Sequence, residues 1–89
     1  MAYVIALIHE ENGAFGVSFP DFPGCVSTGD KFDEALAKGG DALALHIAGM
    51  TADGEALPRL RSARELRFDP DVAPELDRAT VATVRVNLP

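Results

Sequence analysis

Two alternating apolar sets run through the first extended segment of the chain. Tyr3, Ile5 and Leu7 form one, and Val4, Ala6 and Ile8 the other. A strand that is apolar on both sides is covered on both faces or lies in the middle of a sheet. Glu11-Asn12-Gly13 then signals a tight turn, because Asn-Gly accepts the positive φ of a two-residue hairpin. From Ala14 the pattern alternates cleanly. Phe15, Val17 and Phe19 share one side, and Gly16 and Ser18 the other. The pattern predicts an antiparallel hairpin with an aromatic inner face. Pro20-Asp21-Phe22-Pro23-Gly24 interrupts it, since two prolines remove ladder donors and Gly24 permits a reversal. Cys25 to Gly29 fits a short third strand.

The period then changes. Phe32, Leu36, Leu43, Ile47 and Met50 recur at helical spacing, with Gly39-Gly40 in the missing turn, so one helix is expected over residues 31–52. Asp30 is the expected N-cap, and Asp33 complements the dipole of the first turn. The double glycine costs a free helix about 2 kcal/mol relative to two alanines. Close approach to the sheet would offset that cost; simple tolerance in an Ala/Leu-rich helix is the other reading. Asp53-Gly54 supplies a stop, and Leu57-Pro58 reinforces it.

Ser62 to Leu66 reads as one or two helical turns capped by Ser62, and residues 69–75 read as loop. Thr80 to Leu88 alternates again, with Ala82, Val84, Val86 and Leu88 facing one way. The expected fold is therefore α+β. An antiparallel sheet of three to four strands carries one main helix, in the order β-β-β-α-(α)-β.

Charge sharpens the picture. Residues 1–57 hold two lysines against nine acids, a balance of −7, whereas residues 58–89 hold six arginines against five acids, a balance of +1. A net −6 makes direct nucleic-acid binding a poor fit, because phosphate contacts need basic patches. The acidic block is either a solvated face or a docking surface for a cationic protein. At 89 residues the chain is one domain. No apolar run approaches a membrane span. Met1 to Glu10 lacks a basic leader and reads as a strand and not a secretory signal. A single cysteine, Cys25, leaves no intrachain disulfide and makes a reducing cytoplasm the default compartment.

Bond-making chemistry finds little support. Cys25 with His9 or His46 is a conceivable nucleophile and base, but a small buried thiol is the simpler assignment. Asp21, Asp30, Asp33 and Asp41 are a conceivable Mg²⁺ cluster, yet Asp30 and Asp33 already have uses at a helix start. A histidine proton shuttle at His9 or His46 competes with an ordinary structural histidine. No phosphate loop, paired CxxC or Ser/His/Asp pattern is present, and no cofactor or metal is called for.

The run from Gly16 to Ala35 resembles the signature of HicB-type antitoxins: Phe19-Pro20-Asp21, then Pro23-Gly24-Cys25, then Thr28-Gly29-Asp30 at the helix start. The resemblance extends through Ala42-Leu43-Ala44-Leu45-His46 and Asp53 to Pro58, and more loosely to Val84–Pro89. It implies a partial ribonuclease H-like α+β fold without nuclease activity. It also implies a partner, a small basic HicA-like toxin that cleaves mRNA. Longer relatives carry a C-terminal ribbon-helix-helix or helix-turn-helix domain. This chain stops at Val86-Asn87-Leu88-Pro89, so the expectation is a single HicB-like antitoxin domain over 1–89 with no direct nucleic-acid contact.

Charge and resemblance converge on one mechanism, in which an acidic surface steers a cationic toxin and covers its RNA-handling face. The expected charged contacts are Glu10, Glu11, Asp21, Asp33, Glu34 and Asp41. The expected apolar anchor is Phe22, held by Pro20 and Pro23, with a place in the core as its other reading. Two other functions fit the same fold. One is a residual metal-dependent nuclease, and the other is an oligomerisation module without toxin affinity. A strand as apolar as Tyr3–Ile8 also points to a homodimer or larger assembly.

Overall fold

A computed structural model describes all residues, Met1–Pro89. β1 (Ala2–Glu11), β2 (Ala14–Ser18) and β3 (Val26–Gly29) lead into α1 (Phe32–Ala52). Two short helices follow, α2 (Ala63–Leu66) and α3 (Ala73–Leu76), and β4 (Thr80–Val86) closes the fold. The four strands form one antiparallel sheet in the order β3-β2-β1-β4. β1 therefore lies inside the sheet, as its two apolar sets require.

Each side of β1 feeds a different core. Val4, Ala6 and Ile8 join Val17, Phe19, Leu43 and Ile47 under α1. Ile5 and Leu7 join Leu66, Val72 and Leu76 on the opposite face. The molecule thus has three layers where the sequence suggested two: α1, the sheet, and a cover built from α2 and α3. This arrangement uses the apolar residues of β1 internally. The inference of self-association from Tyr3–Ile8 loses its basis, although Tyr3 itself remains exposed.

Local chemistry explains the joints. Asn12 and Gly13 both take positive φ, 54° and 80°, which matches the two-residue hairpin that sets Glu11 opposite Ala14. The C-terminus of α1 ends in Gly54 at φ 72°, with Glu55 N–H donating to the Met50 carbonyl and Gly54 N–H to the Thr51 carbonyl. Those two bonds are a Schellman closure. Ser62 caps α2 as expected, its Oγ accepting from Glu65 N–H while the Glu65 carboxylate accepts from Ser62 N–H.

Three expectations change. The N-cap of α1 is Lys31 in extended conformation with no side-chain cap, so Asp30 lies one position too early to cap. The first helical bond runs from Ala35 N–H to the Lys31 carbonyl, and Gly29 is pressed against Ala35 just before it. α3 begins inside the segment read as loop and runs to Leu76, because Pro74 falls in its first turn, where a missing N–H costs nothing. The two glycines of α1 also separate. A Cβ on Gly39 would stand 3.0 Å from Val17 Cγ1, whereas one on Gly40 would make ordinary contact with Val84 at 3.6 Å. Close approach accounts for the first glycine only.

Candidate functional site: the acidic surface

The acids expected to act together fall into three groups. Glu10 and Glu11 end β1, exposed beside the hairpin turn. Glu10 borders a cleft of about 350 Å³ whose walls include Phe15, Phe32 and Arg78. Asp33 and Phe32 both line a second cleft of about 600 Å³ between α1 and β4. Phe32 itself meets Phe15 edge-on, with ring centroids 5.9 Å apart. Phe32 thus lines both the cleft that Glu10 borders and the cleft that Asp33 borders.

Glu34 and Asp41 form a second group, on the outward side of α1. Their spacing, with Lys38 and Leu45 between and beyond, repeats every three to four residues and so stays on one face. Glu34 is already paired with Lys38 at 3.0 Å, an exposed i,i+4 contact worth about 0.4 kcal/mol. Asp41 is exposed and has no ion pair. Leu45, one turn further, is 76% exposed, and Val26 at the start of β3 is 66% exposed. Both flank a depression of about 250 Å³ that Cys25, Ala42 and His46 also line.

Asp21 and Phe22 form the third group, and they are internal. Phe22 is 1% exposed and belongs to the core under α1, with its ring edge-on to His46 at 6.1 Å. It is therefore core and not a surface anchor. The Asp21 side chain is 2% exposed and bound twice by one residue. Arg61 donates its backbone N–H to Oδ2 and its Nε–H to Oδ1, both at 2.7 Å. Arg61 Nη1 also donates to Asp69 at 2.8 Å. A buried carboxylate so compensated has no charge to offer a partner.

Arg61 is the residue that sequence reasoning missed. It lies forty positions from Asp21, and no spacing rule connects them. The available signal was indirect, since an acid between Pro20 and Phe22 in an apolar turn needs a cation somewhere. Leu45 and Val26 were missed for a related reason. Leu45 falls off the buried stripe of α1, and Val26 begins a strand whose outer side is open.

The catalytic alternatives can now be placed. Cys25 and His46 do border one depression, but burial pushes the Cys25 thiol up, away from the thiolate a nucleophile requires. Asp21, Asp30, Asp33 and Asp41 do not converge, and no three His, Cys, Asp or Glu side chains come together in a metal-holding group. No helix is long and apolar enough to cross a membrane.

Comparison with known proteins supplies the family. A family model described as "HicB_like antitoxin of bacterial toxin-antitoxin system" matches residues 3–88. Antitoxin HicB 1 of Photorhabdus laumondii is 38% identical over 58 residues, which is 65% of this chain and 37% of that protein. An uncharacterized 14.9 kDa protein of Haemophilus phage HP1 is 44% identical over 59 residues, 66% of this chain and 44% of that protein. The chain therefore spans less than half the length of these two relatives. Among solved structures, the N-terminal domain of Burkholderia pseudomallei antitoxin HicB superposes with a TM-score of 0.80 at 28% identity, covering 98% of this chain and 100% of that one. A chain of the HicA3 and HicB3 toxin-antitoxin complex shares the fold, with a TM-score of 0.75 at 23% identity, covering 97% of this chain and 99% of that one. With the family match spanning nearly every residue and the fold shared end to end, the chain belongs to the HicB-like antitoxins of bacterial toxin-antitoxin systems.

Proposed function

We propose that this chain neutralises a small, basic, HicA-like toxin by covering the cationic surface with which that toxin handles RNA, and performs no catalysis itself. The observation that carries the reading is the joint one of family and charge: an antitoxin-family fold whose first 57 residues balance at −7. The acids available for docking are Glu10, Glu11, Asp33, Glu34 and Asp41. Asp21 and Phe22 leave the contact set because they are buried.

The outer side of α1 is the best-suited face. Asp41, which has no ion pair, supplies charge for diffusional steering, Glu34 is paired with Lys38 beside it, and Leu45 with Val26 supplies exposed apolar area. Charge raises the encounter rate, and desolvated apolar contacts then slow dissociation. The test is stopped-flow association with the toxin over a range of ionic strength. The association rate should fall as salt rises, and Asp41→Lys should slow it. Leu45→Ala should leave association intact and speed dissociation about tenfold, the expected scale for an anchor worth somewhat over 1 kcal/mol. A salt-independent association rate would remove the steering mechanism.

A further inference from the structure

We propose that a cleft at the C-terminal end of α1 receives an arginine side chain of the basic partner, an assignment that rests on the docking reading and extends its face toward the end of the helix. The cleft measures about 350 Å³, room for one long side chain. It lies among three segments. The turn after β2 contributes Phe22 and Pro23, the last turns of α1 contribute His46 and Met50, and the segment beyond the helix contributes Glu55 and Pro58. His46 also borders the depression lined by Leu45 and Val26, so the two hollows adjoin along α1.

The cleft is held in shape by the chain itself. Glu55 N–H donates to the Met50 carbonyl, which ties the segment beyond the turn back to the helix. Further on, Arg61 ties the same segment to Asp21. Leu57 and Leu60 pack against the core between these two anchors. A side chain entering such a site has little left to order, so little of the contact is lost to entropy.

Charge selects the occupant. A helix ends in a partial negative charge of about half an elementary unit, and α1 has no basic residue in its last turn to offset it. Asp53 and Glu55 add carboxylates at the same end. Both arginines that follow are engaged elsewhere, Arg59 with Glu65 and Arg61 with Asp21 and Asp69. No cation of the chain's own answers this end of the helix. Of the two carboxylates that line the cleft, Asp21 is already paired with Arg61, which leaves Glu55 to bind. Arginine suits the site better than lysine. Its guanidinium is weakly hydrated, offers a carboxylate two parallel N–H donors, and stacks on a ring such as that of His46. Met50, Pro23 and Pro58 give its methylene stem apolar surface.

The first test needs no toxin. The chain has two methionines, Met50 in the cleft and Met1, which is 79% exposed at the chain start. Methyl-labelled methionine therefore gives a probe and an internal control. Titration with N-acetyl-arginine amide should shift the Met50 methyl resonance saturably and leave Met1 unmoved. The citrulline analogue, uncharged and close in shape, should shift neither, and Glu55→Gln should abolish the arginine effect. The second test uses a purified HicA-like toxin. Glu55→Gln should weaken binding about tenfold, as should Ala56→Lys, which places a cation of the chain's own at the cleft. No Met50 shift with the arginine probe, or an equal shift with citrulline, would overturn the proposal. Unchanged toxin affinity in both variants would overturn it too and leave the docking reading standing, whereas a wild-type chain that binds no toxin would overturn both.

Discussion

Arg61 holds together three parts of the chain that are distant in sequence. Its backbone and guanidinium both bind Asp21 in the Pro20–Gly24 turn, and Nη1 reaches Asp69 beyond α2. Removing it leaves a carboxylate buried without a counterion, the case in which an ion pair matters most for stability. Arg61→Ala should therefore lower the unfolding free energy by about 3 kcal/mol, read by urea denaturation. The same network predicts a pH dependence. Hydrogen bonding from Arg61, and then from Asp71 N–H, holds the Asp69 carboxyl below the usual carboxylate range. The backbone N–H of Ser62, and then Arg59, does the same for Glu65. Because both folded-state values lie below the unfolded ones, the unfolded chain takes up protons first as pH falls. Their stabilisation is complete at neutral pH and is lost below about pH 4. The urea midpoint should fall over that range, and Arg61→Ala should flatten part of the fall; a midpoint that rises on acidification would contradict this account. Two glycines give a paired test. Gly29→Ala forces a methyl to within 2.7 Å of the Ala35 backbone and should destabilise by about 2 kcal/mol. Gly49→Ala meets nothing within 4 Å in a helix interior and should stabilise by about 0.7 kcal/mol.

The elements show what a sequence discloses and what it withholds. β1, the hairpin at Asn12-Gly13, the long helix and the closing strand all announce themselves through local pattern and turn chemistry. α3 does not, because four residues carry too little periodicity and Pro74 looks like a breaker until its place in a first turn is known. The second core was half legible. Ile5 and Leu7 demanded a cover, but the residues that provide it, Leu66, Val72 and Leu76, are spread along a stretch with no sustained pattern. The cover is also the thinner of the two layers on the sheet. Leu66→Ala should cost about 3 kcal/mol and uncover Ile5 and Leu7. Increased binding of a hydrophobic dye, with near-native helix content, is the expected signature. Ser62→Ala, which removes the cap of α2, should cost only about 1 kcal/mol.

At the level of the whole molecule, the acidic imbalance was visible from composition, but its distribution was not. Asp21 looked like a surface charge because it sits among prolines in a turn. It is inside because its partner arrives from a segment that sequence spacing could not connect to it. Phe22 carried two readings, and burial decides for the core. What remains outside is a body with acids around Phe32 and along α1, exposed apolar side chains at Val26 and Leu45, and one bare sheet edge free of acids. The most direct test of the central claim is RNA cleavage by a purified HicA-like toxin titrated with this chain. Cleavage should stop at a fixed stoichiometric ratio, and raised salt should slow the onset of inhibition without moving that end point. Undiminished cleavage in the presence of excess chain, or RNA breakdown by the chain alone, would contradict it.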